Sequence, residues 1–408
     1  MTMRGFLVSA VAFVYSHSVQ TRPPSRLPST PKSNFLQDLQ KCYTPEEVLQ
    51  RVGSHLTPQN DPDARVSSLA MVRLSKMLIS KSNSILYDET NNNQVSFESN
   101  TREQESFKQL SAPLSNVISL SSSDDHDIIV EGMKAAGVIA RIYQLHGIMN
   151  TEYANVFRVL ANSFRKIPEG MKPHHFSGLL WAFDSLALVD DTITLPDGYM
   201  DTYEALTLPF RIHIGMMSTL PKNDALELTL EKLKSQVDFQ KEEIRTTATG
   251  KVVRERRETA WQGDNHVDGF AYSGKVMRRK QFSPVVEHVR NVLYQQTGVL
   301  YDCCLLNLYP DGGSGMRYHS DPDQGTLWGF DTAVVSVGAS RRFAFRTIDD
   351  SEEQPHMFVV MDGDVTEMKD DCQIRYQHTV KPAEIQDEKA PRSSLVFKLS
   401  LSSKDRSK

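Results

Sequence analysis

Four cysteines in 408 residues leave little room for cross-linking or thiolate chemistry. Cys42, Cys303, Cys304 and Cys372 show no zinc-type spacing, and the adjacent Cys303 and Cys304 point to opposite faces if they lie in a strand. Reduced, structural thiols are expected, with no disulfide framework. An excess of positive charge is also missing. The formal charge of −5 excludes a generally cationic nucleic-acid binder, so any such contact must come from local patches. Arg254-Glu255-Arg256-Arg257 and Arg278-Arg279-Lys280 are two such patches, and each fits a plain solvated face equally well. Beyond the N-terminus no stretch is apolar enough to span a bilayer, so the mature protein is expected outside the membrane. At 39% hydrophobic and 24% charged the chain is ordinary globular material, long enough for two or three domains.

Acidic residues are absent from Met1 to Leu36, where Arg4, Arg22, Arg26 and Lys32 sit among serines, threonines and prolines. Gly5 to Tyr15 is an apolar run of signal-peptide size. Residues 1–34 therefore read as a targeting leader. An apolar core followed by a basic Ser/Pro stretch resembles the bipartite leaders of complex algal plastids, with Ala12-Phe13 near the junction. A plastid address is expected, a mitochondrial one is the runner-up and plain secretion is third.

Residues 35–188 carry a helical pattern. Ala70, Leu74 and Met77 share their spacing with Val138, Ile142 and Leu145, 68 positions later (138−70), and with Leu179, Phe183 and Leu186, a further 41 on (179−138). An i, i+4, i+7 stripe is one face of a helix, and an offset shared by all three positions of a set suggests stacked helical pairs of about 40 residues. The longer first gap is assigned to a polar, aperiodic insertion at about 81–127, expected as loop. Ser177-Gly178-Leu179-Leu180-Trp181-Ala182-Phe183 resembles the signature helix of octotricopeptide-type repeats, which implies an RNA-binding or docking role; a plain helix core fits it too.

Residues 189–206 read as a turn-rich linker, and the composition then shifts. A short strand is expected at Pro209–His213, an amphipathic helix at Asp224–Lys241 and another at Pro284–Thr297, stopped by Gly298. From Val299 the period changes from 3.6 to 2. Strands are expected at Leu300–Tyr309, Thr332–Val337, Arg342–Thr347, His356–Met361, Gln373–Thr379 and Arg392–Leu401. Such a series suggests a jelly roll. The expected architecture is multidomain: an all-α, helical-repeat-like N-terminal region, an α+β double-stranded β-helix at 207–402 and a polar tail at 403–408.

His319-Ser320-Asp321 would present both side chains on one strand face, and His378 supplies a distal partner. Two imidazoles and one carboxylate with open positions form the facial triad that holds Fe(II). Arg392 follows at +14 (392−378) on an apolar strand and is placed to anchor an acidic cosubstrate. His266-Val267-Asp268 has the same form, but its stretch is loop-like and no arginine follows its distal candidate His319 until Arg341.

From Pro209 to Leu401 the chain resembles the AlkB-like Fe(II)- and 2-oxoglutarate-dependent dioxygenases. The matching pieces are Asn307-Leu308-Tyr309, His319-Ser320-Asp321-Pro322-Asp323, Asp362-Gly363-Asp364-Val365, His378 to Pro382 and Arg392 to Lys398. Thr259-Ala260-Trp261, Gly263-Asp264 and Tyr272-Ser273-Gly274 match the substrate-side segment. The resemblance implies that His319, Asp321 and His378 hold and use the iron. It implies that Arg392, Asn307, Tyr309 and Ser394 contact 2-oxoglutarate, and that Trp261, Tyr272, Asp323 and Lys398 lie on the substrate side. With Fe(II), 2-oxoglutarate and O2, an N-alkyl group on RNA or single-stranded DNA would be oxidised and its carbon released as aldehyde. Ser394 stands where the family usually has Asn, Lys398 where it has Arg, and Gln262 where an aromatic is common; each departure touches the substrate assignment. Two other readings stay open: the same chemistry on a protein or lipid, and a non-catalytic organellar RNA-binding protein. A monomer is expected.

Overall fold

The computed structural model describes residues 31–55, 64–87, 104–112, 126–164, 166–218, 227–241, 243–245, 250–272, 275–349, 353–384 and 388–401. Most of the expected leader lies outside them; its last residues open the first helix. Among the described residues no helix is long and apolar enough to cross a membrane.

Among the described residues eight helices fill the N-terminal part: α1 (Pro31–Gln40), α2 (Pro45–His55), α3 (Ala64–Tyr87), α4 (104–112), α5 (His126–Leu145), α6 (Thr151–Ser163), α7 (Pro173–Ala187) and α8 (Tyr199–Ala205). The three matched stripes fall on α3, α5 and α7, and α5 packs between the other two. Eight of the nine stripe residues are buried, whereas Leu145 at the end of α5 is exposed. Gly178 and Gly137 permit the close approach of α5 and α7. A Cβ on Gly178 would come within 2.8 Å of Val130, and one on Gly137 within 3.0 Å of Ser185.

The expected insertion at 81–127 is more structured than its composition suggested. Helix α3 continues to Tyr87, and α4 buries Phe107 among Tyr143, Tyr153 and Phe157 at ring distances of 5.5–6.2 Å. A single aromatic anchor carries no period, so the pattern missed it. Residues 189–206 also pack inward, burying Ile193, Tyr199 and Tyr203.

The C-terminal part is two facing antiparallel sheets. The larger has the order β1 (Phe210–His213), β12 (Val365–Met368), β9 (Trp328–Gly338), β14 (Arg392–Ser400), β7 (Cys303–Tyr309), β4 (Glu258–Gly263). The smaller runs β11 (His356–Val360), β10 (Arg341–Thr347), β13 (Tyr376–Val380), β8 (Met316–His319). Two ribbons, β2 (Glu243–Arg245) with β3 (Val252–Arg254) and β5 (Phe270–Tyr272) with β6 (Lys275–Met277), stand beside them. Helix α10 (Pro284–Thr297) has the expected limits, with Gly298 left-handed at its end. The expected helix at 224–241 narrows to α9 (Leu230–Gln236), residues 224–226 lying outside the described set. The expected strand from Gln373 begins instead as a helical turn, α11 (Cys372–Arg375), before β13.

Alternation decides what each strand face does. On β14, Leu395 and Phe397 join Leu306, Val335 and Val337 in a core under α9 and α10, while Ser394, Val396 and Lys398 face the space between the sheets. Cys304 enters that core, whereas Cys303 turns to a cluster with Trp261 and Trp328, and all four cysteines are free and buried. The helical layer covers the smaller sheet, with Phe358 and Val360 of β11 sharing one core with α5 and α7. Polar ties reinforce it. Arg141 of α5 makes a buried bidentate pair with Asp364 at 2.7 and 2.9 Å, and Asn83 of α3 bonds the backbone of Ser340 at 2.8 and 3.2 Å.

A candidate metal centre between the sheets

Strand β8 is the free edge of the smaller sheet, and its pairing with β13 sets His319 directly across from His378. The imidazole centroids are 4.3 Å apart. Asp321 follows β8, its backbone N–H donating to Gln373 Oε1 at 2.8 Å. Its Oδ1 thereby lies 3.5 Å from His319 Nε2 and 3.9 Å from His378 Nε2. The three donor atoms are within 4.8 Å of one another, a spacing one cation can bridge. His319 Nδ1 donates to the Arg317 carbonyl at 2.9 Å, which leaves the Nε2 lone pair facing the carboxylate.

Burial pulls the His378 pKa down to about 3, with the neighbouring His319 and Lys398 adding to the effect against the pull of Asp321, so its imidazole is neutral near pH 7. Burial would raise the Asp321 carboxyl. The Lys398 ammonium, bonded to its Oδ2, outweighs burial and holds Asp321 well below the usual range. One carboxylate with two imidazoles is the donor set of an open Fe(II) site.

The opposite wall is built by β14, β7 and β9. Arg392 stands across from Tyr309 on one side and Gly338 on the other, and Ser394 across from Asn307 and Ser336. Arg392 is 1% exposed, and its Nη2 donates to Ser336 Oγ at 3.2 Å. Its Nε and Nη1 have no hydrogen-bond partner, and neither has Asn307 Oδ1. The Tyr309 ring lies 5.7 Å from the guanidinium carbon. Burial lowers the Arg392 pKa to about 10, yet the group stays charged at neutral pH. A buried guanidinium with unspent donors fits an acidic ligand with a planar carboxylate.

Asn307, Tyr309, Ser394 and Lys398 line the same cavity as the three metal donors. Lys398 is committed within it, its Nζ donating to Asp321 Oδ2 at 2.7 Å. Trp261 does not line the cavity: it stacks behind Phe270 at 4.9 Å, with its Nε1 bonded to the Asp268 carbonyl. Asp323 is exposed with φ of 64°, and its carbonyl accepts the Leu327 and Trp328 N–H groups, so it shapes the turn that delivers Trp328. The backbone of Tyr272 pairs with Lys275; its side chain lies outside the described set.

Phe270 and Trp328 form the aromatic walls, and Ser336 and Gln373 orient Arg392 and Asp321. None of these four was singled out from sequence. Ser336 had a legible signal, a hydroxyl on the alternate face of an otherwise apolar strand. Away from this site, His266 pairs with Asp302 at 2.9 Å on the surface. A second group, Asp127 with His174 and His175, joins α5 to α7. His175 Nδ1 accepts the Lys172 N–H, so its Nε2 carries the proton and donates to Asp127. That arrangement caps α7 and leaves His175 no lone pair for a metal.

Residues 214–399 match the 2OG-Fe(II) oxygenase superfamily. The uncharacterized protein R406 of Acanthamoeba polyphaga mimivirus is 32% identical over 175 residues, 43% of this chain and 89% of that protein. The DNA oxidative demethylase ALKBH2 of Mus musculus is 33% identical over 103 residues, 25% of this chain and 43% of the relative. This chain thus spans less than half the length of that demethylase. The solved structure of OsALKBH1 aligns with 47% of this chain and 96% of its own, at 13% identity and a TM-score of 0.31.

Proposed function

The chain belongs to the 2OG-Fe(II) oxygenase superfamily, and on that premise we propose that it oxidises the N-alkyl group of a modified base in RNA or single-stranded DNA. Superfamily members use Fe(II), 2-oxoglutarate and O2. In this reading His319, Asp321 and His378 hold the iron, and Arg392 receives the far carboxylate of 2-oxoglutarate, with Asn307, Tyr309 and Ser394 beside it. The observation that carries it is Arg392: a buried guanidinium with two unpartnered nitrogens, on the strand whose Ser394 and Lys398 line the cavity with the metal donors. Bound iron with its cosubstrate and O2 supplies the oxidant for a C–H bond, and the hydroxylated carbon leaves as aldehyde. The protein contributes two imidazoles, a fixed carboxylate and a cavity between two sheets that excludes water.

Similarity to a protein named a DNA oxidative demethylase supports a nucleic-acid substrate. Phe270 and Trp328, packed against each other at 5.8 Å, would offer the flipped base a stacking face, in place of Trp261. The test is to incubate the full chain with Fe(II), ascorbate, 2-oxoglutarate and N-methylated oligonucleotides. Succinate and formaldehyde are expected in equal amounts, and Asp321→Asn should abolish both. No succinate with any substrate would overturn the reading.

A second reading keeps the chemistry and moves it to a protein or lipid group. It is favoured by Trp261 standing behind the cavity wall and Asp323 turned to solvent. Succinate without formaldehyde from the methylated oligonucleotides, together with oxidation of a protein or lipid, would select it. The proposal also includes a monomer in an organelle, the plastid ahead of the mitochondrion, supported by the acid-free first 36 residues. Localisation of residues 1–34 fused to a fluorescent protein tests the address. An RNA-presenting role for α3, α5 and α7 is the remaining part, supported by their side-by-side packing.

A further inference from the structure

Phe345 and His378 point between the sheets, so their neighbours Arg346 and Gln377, paired in register, point to the other face of the smaller sheet. Tyr318, next to His319, reaches that reverse face too. There the Arg346 guanidinium lies 4.2 Å from the Tyr318 ring centroid and the Lys381 ammonium 5.1 Å from it. Arg346 donates to Gln377 Oε1 at 2.6 and 3.0 Å, a neutral acceptor. Among the described residues no carboxylate pairs with Arg346 or Lys381. The third cation of the patch, Arg342, bonds Glu384 at 2.6 Å, and Glu384 is shared with Lys76 at 3.0 Å.

Arg346 and Lys381 share one aromatic ring with Arg342 close by and repel one another, and the Lys381 pKa is lowered by burial and by both arginines. Among the described residues α3 ties in only Arg342, through Lys76 and Glu384, and no helix side chain bonds Arg346 or Lys381. The edge of β8 is free, and the donors of the metal centre lie on its other face. A polyanion that placed one unit in the cavity and passed over this edge would meet the patch directly.

Resting on the nucleic-acid reading above, we infer that Tyr318, Arg346 and Lys381 form a docking surface for the phosphodiester backbone of the single strand whose base enters the cavity. Phosphate oxygens would bridge Arg346 and Lys381, with Tyr318 holding the two cations apart. The contact is sequence-independent and salt-sensitive.

The experiment uses the full chain and a labelled, N-methylated single-stranded oligonucleotide, with affinity measured across a salt series. Arg346→Gln with Lys381→Gln should flatten the dependence of log K on log salt by about 1.4, two phosphate contacts at about 0.7 each. KM for the oligonucleotide should rise about tenfold while kcat holds, and turnover of the free methylated nucleoside should not change. The visible band of anaerobic Fe(II) with 2-oxoglutarate should match the wild type, showing an intact fold. Arg346→Glu should weaken binding further. An unchanged salt slope in the double variant, with wild-type turnover of the oligonucleotide, overturns the docking surface alone. A wild-type chain that neither binds nor oxidises the oligonucleotide at low salt overturns the substrate reading and this surface with it.

Discussion

Replacing Arg392 by Met should stabilise the ligand-free protein and abolish its response to 2-oxoglutarate. Arg392 is fully buried with one neutral bond to Ser336 and two N–H groups without partners. Each unsatisfied buried donor costs about 1–3 kcal/mol. The drop in pKa from 12.5 to about 10 is a penalty of about 3 kcal/mol on the charged form. Against this, Met loses the contact with the Tyr309 ring, worth about 0.5–1 kcal/mol, and fills the space with a flexible chain. A net gain of about 1–3 kcal/mol is expected without cosubstrate. The bound state reverses the sign. Two charge-assisted bonds at about 1.5–3 kcal/mol each make 2-oxoglutarate bind at least a hundredfold more weakly to the variant. At a concentration a hundred times the wild-type Kd, the wild type gains about 2.7 kcal/mol and the variant less than about 0.5. Urea unfolding followed by tryptophan fluorescence, in anaerobic Fe(II) with and without 2-oxoglutarate, reads all four numbers. A variant less stable than wild type without ligand, or equally stabilised by it, would refute the reasoning.

Arg141→Met strands the Asp364 carboxylate, which then keeps only the Gly215 and Met361 N–H groups, and should cost about 3–5 kcal/mol in urea unfolding. Adding Asp364→Asn should recover part of that loss. His356 is buried with its Nε2 unpartnered, and burial takes its pKa to about 3. Because the folded value lies below the unfolded one of about 6.5, the unfolded chain takes up the proton first. Stability should therefore fall below pH 6.5, by about 1.4 kcal/mol per pH unit until about pH 3, and His356→Phe should remove that contribution to the slope. Trp328→Ala should raise KM for a methylated oligonucleotide by roughly 5- to 100-fold, the worth of one stacking face, while 2-oxoglutarate affinity measured by the visible band stays unchanged.

The candidate metal donors were legible because a two-residue spacing keeps His319 and Asp321 together, although Asp321 lies just past the end of β8, and the +14 step to Arg392 tied in the opposite wall. Register could not be read. Only the pairing of β8 with β13 shows that His319 lies opposite His378, and β8 itself went unassigned because four residues give no period. Trp261 looked like a substrate contact from its place in a motif, but one step of alternation decides between cavity and core, and the fold puts Phe270 in front of it. Lys398, expected on the substrate side, is bonded to Asp321, a contact across 77 positions that no local pattern encodes. On the helical side the stripes marked α3, α5 and α7 correctly as buried faces, apart from Leu145, which sits past the last packed turn.

Asn83, Arg141 and Ser177 each reach across from a helix to the barrel, Ser177 by a 2.7 Å bond to His356. Trimming the chain to its oxygenase half would strip the cover from Phe358 and Val360 and leave Asp364 without its counter-ion. Such a fragment should be sticky and prone to precipitate, and its silence in an assay would say little about chemistry. The helices are therefore better regarded as one wall of the enzyme than as cargo it carries, and single-residue changes dissect it more cleanly than scissors.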